Sequence, residues 1–172
     1  MTGIFLPARK SGTIKIGSRD NMPDLFGLDK VENSIELLKT MEPKEGYFLA
    51  FSGGKDSQVI YKLAELAGVK FEAHYYITTV DPPELVKFIR EYYPSVNMDR
   101  PRKTMWELIV QKGFPPTRRI RYCCEHLKER KISKNRVVIT GVRAEESPRR
   151  KNRQQIEVCV NGGQHLVNPI IW

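Results

Sequence analysis

Cysteine is scarce in this chain: three among 172 residues, two of them adjacent at Cys123 and Cys124. An odd count with that spacing builds no disulfide framework and suits a reducing compartment. Cys-x-x-Cys is missing as well, and with it the usual pair-and-gap signature of a structural zinc site. Long apolar runs are also lacking. The opening MTGIFLPARK is broken at Pro7 and Arg9, too soon for a signal-peptide core and far short of the roughly 20 residues that span a bilayer. The expectation is a soluble, cytoplasmic protein with no membrane partner. Acidic residues are in deficit, 20 against 29 Lys and Arg, which leaves a formal charge of +9. Such a surface steers anions toward itself without choosing between nucleotide and nucleic acid. No internal repeat or low-complexity tract interrupts the chain, and its length suits one domain.

What is present is an alternation of strand and helix patterns. Residues 1–28 are basic, with a short alternating stretch, TIKI, and read as an N-terminal arm; 29–172 read as the folded domain. Val31, Ile35 and Leu38 recur at helical spacing after Asp29. YFLAF is a continuous apolar run of the kind found in buried parallel strands, and Val59 to Ala67 return to helical spacing before Gly68. FEAHYYITTV alternates as a second strand. Asp81 is placed to cap the helix that follows, with proline in its first turn. A short third strand at VNMD, a helix TMWELIVQK closed by Gly113, a basic helix around IRYCCEHLKERKI and a strand RVVITGV complete the core pattern. QIEVCV-NGG-QHLVNPII reads as a small C-terminal hairpin. The sum predicts an α/β fold: a doubly wound, mostly parallel sheet of Rossmann-like type with helices on both faces.

The chemistry concentrates where YFLAF meets SGGKDS. A glycine-rich turn between strand and helix aims backbone N–H groups and the positive end of the helix dipole at one point, which suits an anion. Spacing excludes two familiar versions. The Walker pattern needs glycine where Leu49 stands and Ser or Thr where Asp56 stands, and the dinucleotide fingerprint needs a third glycine. The competing reading is a plain tight turn capped by Asp56 or Ser57. At the other strand ends, Thr78, Thr79 and Asp81 are binding candidates or simple capping residues. Arg143, Arg149 and Arg150 offer forks that match phosphate or sulfate. Trp106, Tyr75 and Tyr76 are either stacking platforms or core.

SGGKDS resembles the pyrophosphate loop, SGGxDS, of the adenine nucleotide alpha hydrolase-like (PP-loop) superfamily. RYCCEHLKE, GVRAEESPRR and HLVNPIIW resemble, in that order, three segments of the phosphoadenylyl sulfate (PAPS) reductase family within it. The resemblance runs from about residue 31 to the end. It implies a nucleotide site formed by Ser52, Gly53, Gly54, Lys55, Asp56 and Ser57, with Thr78, Thr79 and Asp81 toward the adenosine. Arg121, Lys128, Gly141, Arg143 and Ser147 complete the set. The implied ligand is phosphoadenylyl sulfate, adenylyl sulfate or ATP, with Mg²⁺ if ATP is used. The implied reaction is reduction of an activated sulfonucleotide, with sulfite release and a thioredoxin-like reductant as partner. The implied architecture continues C-terminally into a tail that carries a nucleophilic cysteine, so a C-terminally shortened domain is expected.

The thiols fit that scheme only in part. In the iron-sulfur branch a Cys-Cys pair joins a later pair, and here only Cys159 remains, so a complete cluster is not expected. Cys123 and Cys124, flanked by Arg121 and Lys128, are the candidate catalytic thiols. Cys123, His126, Cys159 and His165 make a conceivable zinc set, against the plainer reading of ordinary half-buried thiols; no metal site is assigned. Rival functions are an adenylating ATP pyrophosphatase and a noncatalytic nucleotide- or nucleic-acid-binding module, and a homo-oligomer is compatible with each.

Overall fold

A computed structural model describes residues 29–128, 136–159 and 164–171. The N-terminal arm with TIKI, the end of the basic helix after 128 and the Asn-Gly turn of the hairpin lie outside the described residues. The elements in order are α1 (Lys30–Thr40), β1 (Tyr47–Ala50), α2 (Lys55–Ala67), β2 (Phe71–Tyr76), α3 (Pro83–Tyr92), β3 (Asn97–Asp99), α4 (Met105–Lys112), α5 (Tyr122–Leu127), β4 (Val137–Ile139), α6 (Pro148–Lys151), β5 (Ile156–Cys159) and β6 (Gln164–Val167). A 3-10 turn, Ala144–Glu146, precedes α6.

Six strands form one sheet in the order β3-β2-β1-β4-β6-β5. β1 pairs in parallel with β2 and β4, β2 with β3, and β4 with β6; only the edge pair β5–β6 is antiparallel. The hairpin is therefore part of the main sheet, not an appendage. From β1 to β2 and from β2 to β3 the chain steps in one direction, so right-handed crossovers place α2 and α3 on the same face. The step from β3 back to β4 reverses direction and carries α4 and α5 to the opposite face. Packing agrees: Leu38, Leu49, Ile60, Leu63, Ala73, Ile89 and Ile139 share the main core, whereas Leu108, Tyr122 and Leu127 form a separate small cluster.

The causes of these elements are local, and one differs from the sequence reading. Asp29 Oδ1 accepts from Val31 N–H at 2.8 Å and Glu32 N–H at 3.3 Å, which caps α1. Thr104 and Glu107 form a reciprocal capping box that opens α4. Asp81, however, does not cap α3. Pro82 occupies that position without a side-chain bond, while the Asp81 carboxylate turns back to accept from Thr78 N–H at 2.6 Å and Thr78 Oγ1–H at 2.7 Å. Proline at the cap and in the first turn removes donors, so the carboxylate finds better partners upstream.

One buried polar residue fastens the sheet next to the site. Asn168, fully buried after β6, accepts from Thr140 Oγ1–H and donates through Nδ2 to Gln154 O at 2.8 Å. It thereby fixes the end of β4, from which residues 141–143 emerge. Asn168→Ala strands both partners and is expected to lower stability by about 1–3 kcal/mol, read from the urea midpoint at unchanged m-value.

Candidate nucleotide site

The turn after β1 is built around backbone, not side-chain caps. Gly54 is the N-cap of α2 and makes no side-chain cap bond, so the turn is not the capped one that Asp56 or Ser57 would give. Instead Ser57 Oγ donates to Gly54 O at 2.8 Å, Ser52 Oγ donates to Ser57 Oγ at 3.2 Å, and Gln58 Nε2 donates to Gly53 O at 2.9 Å. These bonds hold the carbonyls inward. The first-turn N–H groups of Lys55, Asp56 and Ser57 have no intrahelical acceptor, as at any helix start, and thus point outward as free donors. Gly53 holds φ +76°, and a Cβ on it would lie 2.6 Å from Leu85 Cδ1 and 3.2 Å from Ile89 Cδ1. Glycine here satisfies both a left-handed backbone and the close approach of α3.

The end of β4 closes on this turn from the other side. A Cβ on Gly141 would sit 3.2 Å from the Asp56 carbonyl carbon and oxygen, so glycine lets the chain pass directly over the start of α2. Two residues on, Arg143 Nε lies 3.1 Å from Asp56 Oδ1, close enough for an ion pair but off the hydrogen-bonding direction, and buried without an aligned acceptor. Its Nη1 meets Glu145 Oε1 at 2.6 Å. Glu146 accepts from the Arg143 backbone N–H at 3.2 Å, and this bond, with Arg150 beside it, holds the Glu146 carboxyl below its ordinary range. The support it lends is complete above the ordinary glutamate range and is lost as pH falls through that lowered value.

Beside the turn, Ala50, Phe51, Ser52, Tyr75, Tyr76, Thr78, Asp81 and Lys128 line a cleft of about 280 Å³, close to the lower limit of small-ligand pockets. It lies at the C-terminal ends of β1 and β2, where open α/β sheets bind ligands. Tyr75 and Tyr76, adjacent on β2, point to opposite faces of the sheet, Tyr75 into the main core and Tyr76 toward Phe48; the hydroxyl of each is buried without an aligned hydrogen-bond partner, a state that native proteins seldom leave unanswered. Burial, with Asp99 nearby, pushes the Tyr76 hydroxyl up to about 12; burial and Asp81 push Tyr75 up as well, without an aligned bond between the two. His74 on the same strand, stacked on Phe48 at 4.5 Å, bonds Asp99 through Nδ1 at 2.7 Å.

The expected site residues separate as follows. Ser52 to Ser57, Gly141 and Arg143 converge on the turn, while Thr78, Asp81 and Lys128 meet in the adjoining cleft. Thr79, at φ +67°, spends its hydroxyl on the protein: it donates to Thr78 O at 2.6 Å and accepts from Met105 N–H at 2.9 Å, tying β2 to α4. Ser147 caps α6, accepting from Arg150 N–H at 3.3 Å. Trp106 is no stacking platform for the cleft; it stands on α4 with 67% of its surface exposed. The two thiols differ. Cys123 packs on the Leu108–Tyr122–Leu127 cluster, and burial pushes its thiol up. Cys124 Sγ accepts from Arg121 Nη2 at 3.2 Å, and its carbonyl accepts from the N–H of Lys128, the cleft residue, at 2.9 Å. Among the described residues no group of three or more His, Cys, Asp or Glu is arranged to hold a metal; the conceivable zinc set includes Cys159, whose side chain lies outside them.

Sequence reasoning passed over Asn168, His74 and Asp99. Asn168 interrupts the apolar run HLVNPII, which is a usable signal for a buried polar fastener; the His74–Asp99 pair depends on the β2–β3 register, which sequence does not state.

The family model of the phosphoadenosine phosphosulfate reductase domain matches residues 46–172. The chain belongs to that family, within the adenine nucleotide alpha hydrolase-like superfamily. No curated protein matches it significantly. The matched span begins one residue before β1 and takes in the turn, the cleft and both thiols. Family membership carries with it the binding of an adenine nucleotide. Among the described residues, no helix is long and apolar enough to cross a membrane.

Proposed function

We propose that this PAPS reductase-family protein binds a sulfonucleotide with its anionic end on the turn 52–57 and its adenosine toward the cleft of Tyr75, Tyr76, Thr78 and Asp81. The observation that carries this reading is the convergence of outward N–H groups at the start of α2 with the Arg143 guanidinium, whose Nε has no aligned acceptor. Backbone donors and a fork-shaped cation are the groups that recognise phosphate or sulfate. An unpartnered tyrosine hydroxyl at the cleft supplies a polar contact for an adenosine edge.

In the reaction, a thiolate attacks the sulfur of the activated sulfate. The S–O bond to the nucleotide phosphate breaks, the phosphate leaves with that electron pair, and an S-sulfonated cysteine remains. One thiolate of an external dithiol then attacks the cysteine sulfur, so that sulfite departs with the S–S electron pair and a mixed disulfide forms; the second thiol attacks the reductant's sulfur in that bond, frees the cysteine thiolate and leaves the reductant as a disulfide. Cys124 is the thiol of this chain suited to the first step, because its Sγ accepts from the Arg121 guanidinium whereas Cys123 packs on the small apolar cluster; Lys128, one helical turn on, neutralises charge in the cleft. Arg143 and the turn stabilise the departing phosphate.

The test pairs calorimetry with phosphoadenylyl sulfate, adenylyl sulfate and ATP with a sulfite-release assay in the presence of a thioredoxin-like reductant. Binding of a sulfonucleotide, sulfite release, and loss of release but not of binding in Cys124→Ser are expected. Pyrophosphate release from ATP with no turnover of either sulfonucleotide would instead make the protein an adenylating pyrophosphatase. Absence of binding by all three nucleotides would end the reading.

A further inference from the structure

We infer that the face formed by α4 and the turn leading into α5 is a docking surface for a single-stranded nucleic acid. It is separate from the nucleotide cleft and rests on other residues. Between Arg100 and Arg119 the chain has six Lys and Arg against one carboxylate, Glu107. That carboxylate is already committed, accepting from Thr104 N–H at 2.7 Å and Thr104 Oγ1–H at 3.0 Å. Among the described residues no carboxylate lies within ion-pair distance of Arg100, Arg102, Lys112, Arg118 or Arg119, all of them exposed. Uncompensated cations at this density call for a polyanion.

The same face exposes apolar groups on rigid supports. Trp106 and Val110, one helical turn apart on the same side of α4, are 67% and 83% exposed. The capping box at Thr104 and the Gly113 C-cap fix both ends of this helix. Phe114 follows, its ring set edge-on to Tyr122 at 5.9 Å, and Tyr122 Oη donates to Phe114 O at 2.6 Å. Arg118 and Arg119 sit at the tip of a closed turn, in which Thr117 N–H donates to Ile120 O at 3.1 Å and Ile120 N–H to Thr117 Oγ1 at 3.0 Å. The turn holds both arginines exposed, and Phe114 and Tyr122 pack the segment that carries it against α4.

A pre-set aromatic face flanked by guanidinium groups matches a strand whose bases are free to stack while its phosphates are neutralised. A duplex keeps its base faces inside the stack and leaves Trp106 unused. A membrane surface calls for a broad apolar helix face, whereas Leu108 of this short helix is buried in the protein and only Trp106 and Val110 form its exposed apolar strip. An acidic peptide satisfies the cations but gives the indole no flat partner.

The test is fluorescence anisotropy of the full chain with labelled oligothymidylate and oligouridylate of about 20 nucleotides, longer than the roughly 4–16-nucleotide footprint of a single-strand module. A duplex of equal length, polyglutamate and anionic phospholipid vesicles serve as competitors. Both single strands are expected to bind, and more tightly than the duplex. Arg118→Ala combined with Arg119→Ala should lower the magnitude of the log K against log salt slope by about 1.4, from two phosphate contacts at ~0.7 each. Trp106→Ala should weaken binding by about 5-fold or more with the slope unchanged, and Trp106→Phe should restore most of it. These residues are exposed, so circular dichroism should show the variants folded, and mononucleotide calorimetry should be unaltered in them. No strand binding, duplex binding as tight as single-strand binding, or strand binding indifferent to all three substitutions would overturn the proposal. Capture of vesicles or polyglutamate without oligonucleotide, lost in the same variants, would also overturn it and assign the face to that partner.

Discussion

Gly53→Val is expected to abolish high-affinity nucleotide binding, weakening it by about 100-fold or more while most of the sheet stays folded. Two independent constraints meet at this residue. Its φ of +76° is a conformation that a β-branched side chain resists, and the new Cβ would fall 2.6 Å from Leu85 Cδ1 and 3.2 Å from Ile89 Cδ1. The leucine end can turn aside; Ile89 is fully buried in the main core and has nowhere to go. Strain of roughly 1–3 kcal/mol is relieved by flipping the turn away from the start of α2, which takes the outward N–H groups off their common focus. Since about 1.4 kcal/mol is tenfold in affinity, the upper part of that range gives the stated loss. Calorimetry with the nucleotide that binds the wild type, alongside thermal unfolding, separates the two effects. Near-native affinity in a folded Gly53→Val protein would show that the anion does not sit on this turn.

Arg143→Ala is expected to cost about 10- to 150-fold in affinity, the equivalent of the roughly 1.5–3 kcal/mol of a hydrogen bond to a charged group. The arginine acts in two ways. It supplies a fork to the ligand, and it screens Asp56 at 3.1 Å from the same anion; its removal leaves a carboxylate facing a phosphate. Arg143→Lys keeps a charge but not the fork, so it should recover only part of the loss. An additional Asp56→Ala change should restore part of the affinity lost in Arg143→Ala, because the exposed repulsion goes with it. A double-mutant cycle by calorimetry reads that coupling directly; equal losses in the single and double variants would show that Asp56 does not face the anion, and unchanged affinity in Arg143→Ala would place Arg143 outside the site.

Most of the architecture was legible in the sequence because it rests on local causes. YFLAF, the helical spacing after Asp29 and the Gly68 and Gly113 stops each encode their element within a few residues, and the structure has α1, β1, α2 and α4 where those signals place them. Asp81 was misread because capping competes with other local bonds, and two prolines at the start of α3 decided the competition. Trp106 was ambiguous for a different reason. Helical spacing tells which residues share a face but not whether that face is covered, and α4 contributes Leu108 to a small cluster while leaving the indole outside.

A strand–turn–helix unit with SGGKDS at its bend offers free backbone donors whatever surrounds it, since that follows from the dihedral freedom of glycine and the unpaired N–H groups of any helix start. The sequence also identified the family, through ordered motifs that the match over residues 46–172 carries. Only the tertiary structure decided what faces that turn. The parallel pairing of β1 with β4 brings Gly141 over Asp56 and Arg143 beside it, across some 85 intervening residues by their numbers. Asn168 secures the strand end that does so. The pairing of β2 with β3 likewise joins His74 to Asp99. Such contacts depend on strand order and register, which are set by long-range burial of both sheet faces and leave no mark in any short window of sequence.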